Sequence, residues 1–371
     1  VIVKVIVGVP KEIMSGENRV AITPGAVTAF LNKGHRVLIE RGAGKGSGIE
    51  DEEYRHFGAE IVPTAKELYE RAEMIYKVKE PQPEEYELLR EGQILFAYLH
   101  LAAKPEVARV LMEKKVAAIA YETVEINGTL PMLAPMSEIA GRMATQIGAH
   151  LLEKSNGGIG ILLGGVPGVT PANVVILGSG MVGMNAARVA MGMGATVTVI
   201  DNNIQRLRYL DEANGGRLLT LYSNPENIAR AVAGADLLIG AVLIPGGRTP
   251  VLCTEEMVKT MRPGTVIVDV AIDQGGCIET AGRTTCHSEP TYVRHGVLHY
   301  AVPNIPGAVP RTSTYALNNA TLPFALELAD KGCARIIAEK GPLTLGINII
   351  DGKVVNRAVA EALSLDCATL D

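Results

Sequence analysis

A β-branched run, VVILGSGMVG at Val174–Gly183, sets three glycines in the order Gly178-x-Gly180-x-x-Gly183. An alanine-rich helical segment, Met181–Met193, comes next, and a second run, VTVID, ends in Asp201. Strand, tight turn, helix, strand and closing acid, with the acid about 20 residues past the glycines, make a unit suited to a parallel sheet with a crossover helix. Gly178 allows the tight turn, Gly180 lets backbone approach a pyrophosphate, and Gly183 lets helix and strand pack closely. The helix start, with Ser179, Met181 and Val182, offers free N–H groups and partial positive charge to phosphates. Asp201 is placed to accept hydrogen bonds from ribose hydroxyls. Its carboxylate repels a 2′-phosphate, so NAD is expected over NADP, with Arg206 the nearby group that could reach such a phosphate.

The 371 residues exceed one ordinary core and set an expectation of two domains. Before the glycine turn, strands read at Val3–Val9, Arg36–Glu40, Met74–Val78 and Gln93–Leu99. They alternate with helices at Gly25–Lys33, Thr64–Ala72, Pro83–Arg90 and Pro105–Lys114. Such alternation implies a parallel sheet. Ile139, Met143, Ile147 and Leu151 recur at helical spacing, so a long helix over Met136–His150 is expected to lead into the second domain. Gly157–Gly168 reads as a glycine-rich loop or hairpin. Beyond the turn, strands are expected at Thr196–Ile200, within Ala235–Leu243, at Thr265–Val270 and at Val297–Val302, with helices at Ile204–Ala213 and Thr254–Met261. A helix at Ser313–Lys331 would return the chain to the first domain. A hairpin turning at Asp351-Gly352 and a last helix would close it. The fold class is therefore α/β, two domains, each with a mainly parallel sheet flanked by helices, the central one a Rossmann NAD-binding domain.

Composition excludes several classes. A formal net charge of -5 argues against nucleic acid as a partner. No apolar run reaches the roughly 18 residues that span a bilayer. Ile159–Val169 is interrupted by four glycines and Pro167. Val1–Val9 alternates like a strand and lacks the features of a signal peptide. Cys253, Cys277, Cys286, Cys333 and Cys367 form no CxxC pair. They read as thiols in a reducing cytoplasm, and no metal site is expected.

Blocks on either side of the glycine turn carry a resemblance that covers nearly the whole chain. They are GVPKE (Gly8–Glu12), ENRVAITPGAV (Glu17–Val27), VKEPQPEEY (Val78–Tyr86), GQILFAYLHLAA (Gly92–Ala103) and LAPMSEIAGRMA (Leu133–Ala144). LLGGVPGV (Leu162–Val169), VDVAIDQGG (Val268–Gly276) and VPNIPGAVPRTSTYAL (Val302–Leu317) follow in order. The chain resembles the family shared by alanine dehydrogenases and the NAD-binding subunit of proton-pumping transhydrogenase. The resemblance implies reversible oxidative deamination of L-alanine to pyruvate and ammonia with NAD, in a cytoplasmic homohexamer. It also implies a substrate domain at residues 1–130 and 306–371 and an NAD-binding domain at 131–305.

The resemblance places Arg19 and Lys79 at substrate-binding positions. A guanidinium fork suits a carboxylate through two parallel charge-assisted bonds, and Lys79 supplies a compact charge for the carboxylate or keto oxygen. His100 lies at the carboxyl end of an expected strand, where parallel sheets bind ligands, and imidazole exchanges protons near neutrality. Position and resemblance together make it the general acid/base. Asp273, in AIDQGG, matches an aspartate that assists catalysis, with Asp269 as the competing carboxylate. Met136 is expected to touch substrate and Ser137 cofactor, the alternative being packing for Met136 and a helix cap for Ser137. Val302, Asn304 and Ile305 match a loop that meets the nicotinamide ribose and carboxamide. Pro303 and Ile305 depart there from the alanine and methionine of the family pattern. Val242 and Leu243, in AVLIPG, would approach the cofactor through backbone atoms. Rival readings are the transhydrogenase subunit, a dehydrogenase of another amino acid or imine, and a non-catalytic NAD-binding regulator. His100, Lys79 and Asp273 together favour the free-standing dehydrogenase.

Overall fold

The structure, a computed structural model, describes residues 4–242 and 249–370, with the side chains at 273 and 274 left aside. Two compact units emerge, residues 1–136 with 309–371, and residues 137–308. Strands are numbered along the chain. The first unit opens with β1 (Ile6–Val9), β2 (Arg36–Glu40), β3 (Glu60–Val62), β4 (Met74–Tyr76), β5 (Ile94–Ala97) and β6 (Ala117–Ala120). The second holds β7 (Asn173–Leu177), β8 (Thr196–Asp201), β9 (Leu219–Tyr222), β10 (Leu237–Gly240), β11 (Val266–Asp269), β12 (Thr291–Arg294) and β13 (Val297–Tyr300). β14 (Ile347–Ile350) and β15 (Lys353–Val354) complete the first unit.

Among the described residues these strands form two sheets. One has the order β15-β14-β6-β5-β4-β1-β2-β3 and the other β12-β13-β11-β10-β7-β8-β9. Pairing is parallel throughout except where β14 meets β6 and β15, and where β12 meets β13. Each sheet thus runs outward from its first strand in one direction, then crosses back to the other side. β4 (MIY), β6 (AAIA), β10 (LLIG) and β11 (VIVD) are buried at every position, as expected of strands covered by helices on both faces. The antiparallel strands sit at one edge of each sheet, where no crossover helix is required.

Local signals explain the helix starts. Pro24, Pro105, Pro225 and Pro310 occupy first turns, where a missing N–H costs nothing. Thr64, Asn203, Asn224 and Asn356 accept first-turn amides with their side chains. The hairpin of β14 and β15 turns where sequence places it, with Asp351 at φ 50° and Gly352 at φ 74°.

Several expected elements differ. Pro83–Leu88 is a 3-10 helix rather than an α-helix through Arg90. Gln82 and Glu85 cap each other there, and Glu85 is drawn inward by Lys77 and Tyr69. The strand expected over Gln93–Leu99 is only Ile94–Ala97, so His100 stands on the following turn. The helix expected at Thr254–Met261 is Glu255–Val258, capped by Thr254. Ser313–Lys331 extends to Pro310–Glu339, with non-helical φ 66° and ψ 169° at Gly332 marking two helices joined at a kink.

Buried charge stabilises the turn after β4. Lys77 is fully buried, with Nζ 2.7 Å from Glu85 Oε1 and 3.3 Å from Glu12 Oε2. The Tyr69 hydroxyl donates to Glu85 Oε1 at 2.8 Å, and Val78 N donates to Glu12 Oε1 at 2.7 Å. Burial pushes the Glu12 carboxyl up to about 7, with Lys77 acting in the opposite direction. Lys77→Met strands two carboxylates without their cation and should destabilise the fold by about 3–5 kcal/mol. The sign of its pH dependence follows from Glu12. Between its ordinary value of 4.5 and about 7 the native state holds the extra proton, so this group's contribution to stability falls as pH rises through that window. Loss of Lys77 moves the folded value higher. Urea denaturation should therefore show a larger deficit at about pH 8 than at about pH 5.

Candidate active site

In each sheet the strand order reverses beside the first strand, between β1 and β4 and between β7 and β10. Loops leaving the carboxyl ends of such a pair diverge and open a crevice for ligands. In the second unit the glycine turn follows β7. Gly178 has φ 103°, and a Cβ there would lie 2.7 Å from the Ala241 carbonyl oxygen. A Cβ at Gly183 would lie 1.9 Å from the Gly178 oxygen, whereas one at Gly180 meets nothing within 4 Å. Met181 is exposed, so the start of the helix Met181–Gly192 is open to an incoming anion. This arrangement fits a dinucleotide pyrophosphate: two glycines are required by packing, and the third leaves a space for the ligand.

Asp201 ends β8. Its Oδ2 accepts from both N and Oγ of Ser179 at 2.7 Å, and its Oδ1 accepts from Asn203 N at 2.7 Å. The acid thereby ties the glycine turn to the end of β8, a link that the spacing did not reveal. A carboxylate has about four lone-pair sites, leaving acceptor capacity for a ribose hydroxyl. Val302 and Ile305 are buried, Val242 and Val182 are half-buried, and Asn304 adopts the left-handed conformation at φ 58°. Leu243 lies outside the described residues. Ser137 is half-buried and belongs to this unit. Its helix starts at Ala134, so Ser137 is a first-turn residue rather than the cap.

The two aspartates after β11 separate. Asp269 is fully buried and accepts N–H bonds from Ala271 (3.1 Å), Cys277 (2.9 Å) and Ile278 (3.2 Å). Burial pushes its carboxyl up to about 6 against those bonds. It holds the loop together. Asp273 sits in the 3-10 helix Val270–Gln274, and its side chain lies outside the described residues.

In the first unit the candidate residues form a chain of charges. Arg19 is buried, and its Nε and Nη2 donate to Glu17 Oε1 at 2.7 Å and Oε2 at 2.6 Å. One edge of the guanidinium fork expected for a ligand is thus held by the protein's own carboxylate. Nη1 lies 3.1 Å from Met136 Sδ, so Met136 is packed directly against Arg19. Burial opposes ionisation of Glu17, but its bonds to the Arg19 side chain and backbone and the charges of Arg19 and Lys79 together outweigh that and keep the carboxyl below its ordinary value.

Lys79 is half-buried, and its charge acts on Glu80 as well as Glu17. The buried Glu80 carboxylate has Oε2 3.2 Å from His100 Nδ1 and Oε1 3.5 Å from Lys104 Nζ. Burial works against its charge, yet His100, the backbone and Lys79 together hold it down at about 2. The His100 ring stacks on Tyr98 at a centroid distance of 6.0 Å. Behind it, Glu122 accepts the His100 backbone N–H at 2.6 Å. Arg19, Met136, Lys79 and His100 are therefore gathered in one unit. Glu12, Glu17, Lys77, Glu80 and Glu122 join them and were not singled out from sequence. Glu12, Glu17 and Glu80 sit inside the family blocks, but nothing local distinguishes a buried partner from a surface acid.

Among the described residues no cluster of three or more His, Cys, Asp or Glu is arranged to hold a metal ion. No helix among them is long and apolar enough to cross a membrane.

Fold and turn together define an α/β nucleotide-binding protein of Rossmann type. Family comparison narrows this. The model for "Alanine dehydrogenase/PNT, N-terminal domain" matches residues 8–140, and that for "Alanine dehydrogenase/PNT, C-terminal domain" matches residues 144–357. The chain belongs to the alanine dehydrogenase/PNT family. It is 60% identical over 361 residues to the alanine dehydrogenase of Methanococcus maripaludis, covering 97% of each protein. A solved L-alanine dehydrogenase superposes with a TM-score of 0.94 at 51% identity, over 97% of this chain and 99% of that one. A transhydrogenase from Sinorhizobium meliloti shares the fold, with a TM-score of 0.82 at 24% identity over 95% of this chain and 99% of that one.

The glycine geometry separates two substitutions. Gly183→Ala must displace the Gly178 carbonyl, at a cost of about 1–3 kcal/mol or more, and should lower both Tm and NADH affinity. Gly180→Ala should keep the Tm and weaken NADH binding alone. Thermal unfolding and NADH fluorescence titration of the two variants check the contrast.

Proposed function

We propose that this chain is an NAD-dependent L-alanine dehydrogenase that interconverts L-alanine with pyruvate and ammonia. Identity of 60% to an alanine dehydrogenase along 97% of the chain carries the reading. The gathering of Arg19, Met136, Lys79 and His100 in one unit supports the assignment of roles. In this reading residues 1–130 and 306–371 bind substrate and residues 131–305 bind NAD. The assembly is a homohexamer in the cytoplasm, with small molecules rather than nucleic acid or membrane as its other partners.

The roles follow from the chemistry of each group. NAD, when bound, supplies the hydride acceptor. Gly178, Ser179, Gly180, Met181, Val182 and Gly183 receive its pyrophosphate, and Asp201 its ribose. Ser137, Val242, Leu243, Val302, Asn304 and Ile305 line its nicotinamide half. Arg19 and Lys79 neutralise the substrate carboxylate and orient it, with Met136 packed behind the guanidinium. His100 takes a proton from the amino group as the Cα hydrogen departs as hydride. That proton passes to solvent, and His100 then takes one from the water that adds to iminopyruvate and gives it to the nitrogen as the carbinolamine collapses to pyruvate and ammonia. Asp273 stabilises the developing iminium and orients the attacking water. Holding the reacting carbons in register supplies much of the rate.

NADH oxidation by the purified chain should require both pyruvate and ammonium, with glyoxylate and longer keto acids slower. Turnover without amine, or only with a longer keto acid, would overturn the substrate assignment. His100→Ala should lose roughly 10²–10⁴-fold in kcat while still binding NADH. A near-normal kcat removes His100 from its role. KM should be lower for NAD(H) than for NADP(H).

A further inference from the structure

We infer that Glu80 is a positioning residue for the proposed acid/base, fixing the His100 ring so that Nδ1 carries a proton and Nε2 is presented to substrate. The inference rests on the role given to His100 above. Glu80 Oε2 lies 3.2 Å from His100 Nδ1, and the Glu80 side chain is 4% exposed while that of His100 is 39% exposed. The buried partner is thus the carboxylate, and the ring lies with part of its surface open. An ionised carboxylate only accepts hydrogen bonds, so Nδ1 must be the donor and the neutral ring must carry its lone pair on Nε2. The low value of Glu80, about 2, keeps it an acceptor at any pH where the protein works.

Two further contacts restrain the ring. Tyr98 stacks against it with planes 29° apart. The Glu122 carboxylate holds the backbone amides of Leu99 and His100, with its Oε1 at 3.1 and 2.6 Å. Tyr98 is itself fixed, its hydroxyl donating to the Met132 carbonyl at 2.5 Å. The charges around the ring are Glu80 against Nδ1, Glu122 behind its amide, and Lys104 on the other oxygen of Glu80, with Lys79 acting on Glu80 as well. Removing the Glu80 charge takes away an anion on which both lysines act. Loss of a neighbouring anion beside cations disfavours the imidazolium form.

The test compares Glu80→Gln and Glu80→Asp with the unaltered protein. Site-resolved acylation of His100 by diethyl pyrocarbonate, followed by peptide mass analysis across pH, reads the ring's titration without using turnover. The midpoint should fall by about one pH unit or more in Glu80→Gln and recover by at least half in Glu80→Asp. In parallel, kcat should drop roughly 10- to 100-fold in Glu80→Gln, less than for loss of the acid/base group itself. KM for pyruvate and NADH affinity should stay within about twofold, and the acid limb of kcat/KM for alanine should move to lower pH with the acylation midpoint. An unchanged midpoint in Glu80→Gln overturns the inference, as does a recovery in neither measurement by Glu80→Asp. If the midpoint moves but His100→Ala retains turnover, Glu80 still tunes His100 and it is the acid/base role that fails.

Discussion

The reversal of strand order beside the first strand of each sheet is the constraint from which the candidate sites follow. Parallel strands need crossovers, and a crossover series that runs one way from β1 to β3 must turn back to place β4 on the other side. The loops after β1 and β4 then part company, as do those after β7 and β10, and each leaves backbone and side chains facing an opening. The residues at those openings are those with unusual chemistry: Glu12 after β1, Lys77 to Glu80 after β4, His100 after β5, Glu122 after β6. In the second sheet they are the glycine turn after β7, Asp201 at the end of β8 and Ala241 after β10. One topological rule accounts for both clusters, although the two units bear on different chemistry.

Placing charge at a strand end buried under helices is costly unless each group has partners. The first unit meets this condition by alternating signs. Glu17 lies against Arg19, Glu12 and Glu85 against Lys77, and Glu80 against His100 and Lys104. The alternation also limits which groups can still act. Glu17 takes one edge of the Arg19 fork, and Met136 packs against another of its nitrogens.

Sequence revealed the second unit more fully than the first. Gly178, Gly180 and Gly183 matter through backbone geometry, and Asp201 follows them at a fixed spacing, which is what a sequence displays. The strand β7 and the helix after it are long and strongly periodic, so their bounds were close. The short strands β3, β6, β9 and β12 were not identified, because three or four residues carry little periodicity. In the first unit Arg19, Lys79 and His100 were legible only through family blocks, since a lone cation or histidine has no local signature. Their partners were hidden for a stronger reason. Arg19 meets Met136 across 117 positions, and Leu99 and His100 meet Glu122 across about twenty. Such pairings are set by which strands become neighbours, a property of the whole sheet.

Backbone conformation adds a last restriction at the same place. His100 sits in the left-handed region at φ 50°, which costs an L-residue about 1–2 kcal/mol. Most other non-glycine residues there, Lys115, Asn127, His295, Lys340, Asp351 and Ser364, serve ordinary turns or helix ends, so the angle alone says nothing of chemistry. What distinguishes His100 is how it is held. Its amide and that of Leu99 are bound by one carboxylate, Glu122, while its ring is held by another, Glu80. Two independent anchors on backbone and side chain leave the imidazole little freedom. The left-handed angle thus falls at a histidine whose ring and backbone amide are each held by a separate carboxylate.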